Sequence, residues 1–157
     1  MINKLILSSV IKKYYLGEIE QVKWSIKNES LEINFISPTK ILIGKVKCKT
    51  FPIEDIDLAI YITKKLDNLI NITHGDLMLD VTKQNKLPLK LNISDQNYNL
   101  SYALSDPLLI PKVGKVKKQD ENDIKIELDS ENVSHLLKAK NALAEVDNML
   151  IIKSLIK

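Results

Sequence analysis

The stretch IDLAIYITKKLDNLINI, residues 56–72, changes its hydrophobic period halfway along. Residues 56–61 have strand character, and residues 62–72 repeat apolar side chains at helical spacing. This stretch therefore predicts a strand that runs directly into an amphipathic helix. The predicted apolar stripe of the helix is Ile62, Leu66, Leu69 and Ile70, and its predicted outer face is Lys64, Asp67, Asn68 and Asn71.

A second amphipathic helix is predicted near the start of the chain, over residues 5–15, with Gly17 ending it. Its two faces differ in polarity, as expected for a helix that covers a core on one side only. The predicted buried side is Leu7, Val10, Ile11 and Tyr14, and the predicted outer side is Ser8, Ser9, Lys12 and Lys13.

Short alternating runs follow each of these two helices. Alternation of apolar and polar residues predicts antiparallel strands with one buried face. The order helix-then-strands therefore occurs twice before residue 106, which is a weak structural repeat. The predicted strands are residues 22–26, 31–35 and 41–48 after the first helix, and 77–82, 87–94 and 99–104 after the second.

A linker and a third helical unit are predicted beyond residue 106. Pro107 and Pro111 favour an extended apolar run, and residues 112–123 are charged and loop-like. A strand is predicted at 124–128, then a helix capped by Asp129 or Ser130, then a strand at 149–154. The predicted helix stripe is Val133, Leu136, Leu137, Leu143 and Ala144.

These elements predict a first domain at 1–106, a connector at 107–123 and the start of a second domain at 124–157. A piece as short as the last one rarely holds a core alone, so we expect this domain to be incomplete. The chain by itself is then expected to be monomeric or prone to aggregate through residues 149–156.

Residues that could carry catalysis are scarce, so we expect neither an enzyme nor a cofactor. His74 and His135 are far apart without partners at metal-ligand spacing, and Cys48 is the single cysteine, which excludes an internal disulfide and favours a reducing compartment. No apolar run reaches the length of a membrane span. The acids Glu54, Asp55 and Asp57 are interpreted as part of a solvated loop, and residues 120–123 lack the glycine of a calcium loop.

Lysine is the charged residue that recurs on the outer faces of all three predicted helices. The formal net charge is only +3 and there is no arginine, so position matters more than total charge. These faces could be ordinary solvated surfaces, or they could follow a phosphate backbone without reading bases. The candidate phosphate contacts are Lys12, Lys13, Lys64 and Lys138, with Lys4, Lys65 and Lys140 as flanking candidates.

The order of elements resembles the plan of DNA sliding clamps, and several stretches are similar to the clamps of T-even-type tailed phages. Residues 56–61 followed by 66–70 resemble a strand and inner helix of that family, and 131–139 with Leu143 resemble the helix that opens its second domain. Residues 93–95 and 102–107 resemble its last first-domain strand and connector. The resemblance implies an α+β sliding-clamp fold with inner helices backed by antiparallel sheets.

The same resemblance implies function and partners. It implies a homotrimeric ring that encircles double-stranded DNA without sequence specificity as a processivity factor for a replicative DNA polymerase. An ATP-driven clamp loader, a role in late transcription and the cytoplasm of an infected bacterial host are implied with it. Three alternatives stay open: a two-domain interaction module that never encircles DNA, a free-standing nonspecific DNA-binding protein, and a small hydrolase.

Overall fold

The computed structural model describes residues 1–114 and 129–142. The chain divides into two compact units, Met1–Val116 and Lys117–Lys157. The strands predicted at 124–128 and 149–154, the residues 120–123, and the stripe positions Leu143 and Ala144 lie outside the described residues. The predicted domain boundaries at 106 and 123 stay a prediction.

The first unit is a mixed helix and sheet structure built twice over the same order of elements. One strand, one helix and three strands form the first half, and the same series forms the second half. The elements are β1 Ile2–Asn3, α1 Lys4–Tyr15, β2 Val22–Lys27, β3 Ser30–Ile36, β4 Ile43–Lys49, β5 Ile56–Ile60, α2 Thr63–Asn71, β6 Asp76–Gln84, β7 Leu87–Ser94 and β8 Asn99–Ala103.

The first strand of each half pairs with the sheet of the other half. The two four-stranded sheets have the orders β1-β6-β7-β8 and β4-β3-β2-β5, and the pairs within them are antiparallel. Ile2 pairs with Leu77 across the first exchange, and Val22 pairs with Ile60 across the second. The sequence does not predict β1, because two residues are too few to show a period.

Two hairpins fix the register of the sheets. Asn28-Glu29 joins β2 to β3 and Asn85-Lys86 joins β6 to β7, and all four residues have positive φ between 49° and 67°. Two-residue loops of this conformation match the right-handed twist of the strands, and asparagine tolerates it best after glycine. Register matters here because a slip of one residue would turn every buried side chain outward.

A single hydrophobic core lies between the helices and the two sheets. The buried faces of α1 and α2 contribute Leu7, Ile11, Leu66 and Ile70, all fully buried. From the sheets, Trp24 packs edge-on against Phe51 with ring centroids 5.8 Å apart, a favourable geometry for two aromatic rings. The predicted amphipathic faces of both helices are therefore confirmed at their centres.

Several positions of the first unit differ from the sequence-based prediction. Ser8, expected on the outer side of α1, is buried at 7% exposure, whereas Ile62, expected in the α2 stripe, is 47% exposed because α2 begins only at Thr63. Strand β4 begins at Ile43, so Ile41 is exposed in the preceding turn. Pro107–Leu109 forms a short 3₁₀ turn and not an extended run, because the Asp106 carboxylate accepts a hydrogen bond from the Leu108 amide at 2.8 Å.

The described part of the second unit is one helix, α3 Ser130–Ala142. The Asp129 side chain accepts from the Asn132 amide at 2.7 Å, which confirms the predicted cap. Val133 and Leu137 of the predicted stripe are exposed.

Among the described residues of the whole chain, no helix is long and apolar enough to cross a membrane.

Candidate nucleic-acid interface

Helices α1 and α2 lie side by side and run in opposite directions. The Lys4 ammonium at the start of α1 donates to the carbonyl oxygens of Asn71 and Thr73, at the end of α2. At the other end, the Thr63 hydroxyl of α2 lies 3.4 Å from the Tyr14 hydroxyl of α1. This antiparallel arrangement brings the last turn of α1 to the first turn of α2.

The first turn of α2 is held by residues distant in sequence. Its N-cap residue, Ile62, has no capping side chain. Instead the Glu20 carboxylate accepts from the Lys64 amide at 2.9 Å, and the Tyr102 hydroxyl accepts from the Ile62 amide at 2.9 Å. The Glu20 carbonyl oxygen also accepts from the Thr63 amide and hydroxyl. The N–H groups of Ile62, Thr63 and Lys64, which the helix itself leaves unsatisfied, therefore have partners.

Four of the predicted lysines lie on the two helix turns that meet at this shared end. Lys12 and Lys13 lie in the last turn of α1, and Lys64 and Lys65 lie in the first turn of α2; all four are exposed. The last turn of a helix favours cations, but the first turn disfavours them by about 0.3–1 kcal/mol each. Lys64 and Lys65 thus occupy positions that helix stability alone does not favour.

The rest of the exposed helix surface is mostly uncharged. Ser9 on α1 and Asn68 and Asn71 on α2 are exposed. The one acid of α2, Asp67, is half-buried and accepts from the Asn71 side chain at 3.0 Å. Leu5 is also exposed, at 76%, in the first turn of α1, which sequence reasoning did not single out. Neither helix carries an exposed carboxylate; the acids nearest to this end are Glu18, in the turn after α1, and the capping Glu20.

The remaining predicted lysines have different settings. Lys4 is half-buried and its ammonium is engaged with two carbonyl oxygens, which leaves it fewer donors for a phosphate. Lys138 and Lys140 are exposed on α3, in the second unit, so their placement beside the other lysines stays a prediction.

His74 and Cys48, two of the other candidate residues, have separate settings in the described ranges. His74 is exposed in the turn before β6, where its amide donates to Asp95 at 2.7 Å. Burial raises the pKa of the Cys48 thiol, which disfavours the reactive thiolate. In residues 1–114 and 129–142 no three metal-binding side chains cluster.

Besides the exposed Leu5, two features of the surface were not found from the sequence. Glu20 acts as the remote cap of α2, and no sequence pattern could show this, since 43 residues separate Glu20 from Thr63. A group of lysines on the outer side of the sheet β4-β3-β2-β5 was also missed. Its signal was present as alternation, with lysine at every second position over residues 45–49.

Comparison with known proteins identifies the fold. No family model matches the chain, and no curated protein is similar to it in sequence. The DNA polymerase III subunit beta of Pseudomonas aeruginosa has a similar structure, with a TM-score of 0.51 and 14% identity over 73% of this chain and 32% of that one. A DNA polymerase sliding clamp from Pseudomonas aeruginosa with ligand gives a TM-score of 0.46 and 11% identity over 74% of this chain and 32% of its own.

Only the first of these likenesses is strong enough to identify a fold. The chain has the sliding-clamp fold, as its resemblance to that family implied. It spans about a third of the length of the solved structures that it matches. At this level of identity, the likeness establishes the architecture alone.

Proposed function

We propose that the chain is a subunit of a DNA sliding clamp, a ring that encircles duplex DNA and keeps a replicative polymerase on its template. The observation that carries the proposal is the lysine end of the α1–α2 pair within a sliding-clamp fold. Lys12, Lys13, Lys64 and Lys65 are exposed there without an exposed acid on either helix. These four lysines are the proposed phosphate contacts of the first unit.

The proposed mechanism is topological. A closed ring cannot dissociate sideways from duplex DNA, so individual contacts can stay weak, and they must be weak for the ring to slide. Lysine suits this task because its flexible point charge follows the backbone without reading base edges. A net charge of only +3 agrees with such weak binding.

The finer parts of the proposal rest on the sequence resemblance. They are a homotrimeric ring, an ATP-driven clamp loader, a T-even-type tailed phage as the source, a role in late transcription and the cytoplasm of an infected bacterium as the location. Lys138 and Lys140 are proposed to extend the contacts to the second unit, with Lys4 at the flank. The proposed role is non-enzymatic.

Salt dependence of DNA binding tests the contacts. Binding to duplexes of unrelated sequence should be equal, and log affinity should fall linearly with log salt because bound phosphates release counterions. Lys12→Ala and Lys64→Ala should each reduce the slope by about one unit if each lysine meets one phosphate. Unchanged slopes in both variants would make this a solvated surface.

Encirclement needs its own experiment, because a free-standing DNA-binding protein would pass the salt test. After loading, the protein should stay on closed circular DNA at a salt concentration that removes it from linear DNA with free ends. Cutting the circle should release it. Equal retention on both forms would favour the nonspecific DNA-binding alternative, and no retention on either would favour the interaction module.

A further inference from the structure

The solvent face of the sheet β4-β3-β2-β5 is rich in lysine. It is the face opposite to the one that packs on α1, since Trp24, Ile33 and Val46 alternate with these lysines and belong to the same core as Leu7. We call this surface the lysine face; it comprises Lys23, Lys27, Lys45, Lys47 and Lys49, all exposed.

The strand register spaces these lysines evenly. Asn34 lies between Lys45 and Lys23 in one cross-strand row, and Ser30 lies between Lys49 and Lys27 in another. The row between them carries Lys47. No two lysines are directly opposite each other, which would destabilise the sheet. The charges are therefore spread over three cross-strand rows on β2 and β4, at a tolerable cost.

Two acids on the face neutralise only part of this charge. Glu32 lies 2.7 Å from Lys45 and 3.2 Å from Lys47, and Asp57 lies 3.2 Å from Lys23. Within the described ranges, Lys27 and Lys49 make no ion pair with an acid. The row that contains these two lysines is consequently the most available to an anion.

Protection of an exposed sheet edge does not account for the whole face. Lysines on an edge strand discourage unwanted strand pairing, which would explain those on β4. Lys23 and Lys27, however, lie on β2, which is paired on both sides by β3 and β5. An interior strand has no edge to protect.

A general need for solubility does not account for the lysine face either. The sheet β1-β6-β7-β8 is built in the same way, yet its solvent face carries a polar hydrogen-bonded group around Asn92. Asn92 donates to Thr82 at 2.8 Å and accepts from Ser101 at 2.9 Å, and Lys90 is the nearby exposed cation. Only one of two equivalent sheets is strongly basic.

We propose that the lysine face is a second binding surface for the sugar–phosphate backbone of nucleic acid, separate from the helix pair. Charge complementarity favours this partner, and so do Ser25, Ser30 and Asn34 between the lysines, because hydroxyl and amide groups also contact phosphates. Aromatic or large apolar anchors are typical of protein interfaces, and the three lysine rows carry none; the apolar pair Ile36 and Ile43 lies in the next row of this face. The absence of exposed aromatic rings in these rows indicates backbone binding and not base stacking.

The test removes charge without breaking an ion pair. Lys27→Gln/Lys49→Gln in the full chain should lower the slope of log affinity against log salt by up to about two units on duplex DNA. The matched control, Lys86→Asn/Lys90→Gln, removes two exposed lysines from the other sheet and should leave the slope unchanged. Circular dichroism of each variant checks that the fold is kept, and single-stranded and duplex oligonucleotides are both titrated to identify which form supplies the backbone.

The outcomes separate this proposal from the clamp proposal. A reduced slope in the lysine-face variant but not in the control supports it, whether or not Lys12→Ala and Lys64→Ala also act. A slope lowered by the helix variants alone overturns it and leaves the clamp proposal intact. If the lysine-face variant loses binding to poly-glutamate but not to either nucleic acid, the surface serves an acidic protein segment, and the proposal is wrong.

Discussion

At the scale of single residues, the sheet β4-β3-β2-β5 depends on one glycine under an aromatic ring. Gly44 pairs with Phe35, and a Cβ built on Gly44 would lie 2.2 Å from the Phe35 Cζ atom. Phe35 is itself buried, at 6% exposure, so the ring has little room to move. The φ angle of Gly44 is not positive, so its backbone conformation does not require glycine. The position requires glycine because a side chain would collide with the Phe35 ring.

Gly44→Ala should therefore destabilise the protein by about 1–3 kcal/mol, the usual cost of overpacking. Urea unfolding followed by tryptophan fluorescence measures the change, since Trp24 lies in the same core. Gly114→Ala, where no atom lies within 4 Å of the added Cβ, is the control and should have little effect. Equal stabilities for the two variants would mean that the Phe35 ring moves aside freely.

Glu32 provides a residue-scale prediction about pH. Hydrogen bonds from Lys45, Asn34 and Lys47 lower its pKa from 4.5 to about 2. A lowered folded-state pKa stabilises the folded protein above the unfolded-state value, and this contribution is lost as the pH falls from about 4.5 to about 2. Because the side chain is 34% exposed and solvent screens the ion pairs, we expect Glu32 to contribute about 1 kcal/mol or less to the free energy of unfolding.

The free energy of unfolding of Glu32→Gln should then fall less with decreasing pH than that of the natural protein, as measured by urea unfolding at pH 6, 4 and 3. The difference between the variant and the natural protein should shrink in 1 M NaCl, which screens a partly exposed ion pair. A variant whose stability falls as steeply with acid as that of the natural protein would show that the three partners do not hold the carboxylate in solution.

At the scale of elements, periodicity identified both helices of the first unit and seven of its eight strands. The amphipathic pattern gave the buried centres of α1 and α2 because helix geometry is local. It failed at Ser8 and Ile62, where the positions of neighbouring elements decide burial. It could not find β1 or the cap at Glu20, because both depend on partners more than 40 residues away. The lysines on α1 and α2 were predicted as outer-face residues, but their gathering at one end requires the antiparallel packing.

The remote cap of α2 leads to an element-scale prediction. Glu20→Ala removes the acceptor of the Lys64 amide, and the loss of such a cap costs about 1 kcal/mol. The expected result is lower stability in urea, with faster amide hydrogen exchange in the first turn of α2 than elsewhere in that helix. Glu18→Ala, at a neighbouring exposed position, is the control. Unchanged exchange at Lys64 would contradict the capping role.

At the scale of the whole first unit, the two halves are not independent, because each sheet contains a strand from the other half. Separate fragments of residues 1–53 and 54–114 should each lack a cooperative thermal transition, and mixing them should restore one. Far-UV circular dichroism of the fragments alone and together measures this. A cooperative transition in either fragment alone would show that the exchanged strands are dispensable.

The exchange of first strands also sets the order of events while the chain is being made. The strands β2, β3 and β4 are close in sequence and can pair as soon as they emerge, but Ile2 has no partner until Leu77 has been synthesised. At about 5–20 residues per second, β1 waits on the order of 4–15 s for β6 to be synthesised. During this time Ile2 lacks its neighbours from the second half of the core, and a chaperone that binds apolar segments has its best opportunity before β6 appears.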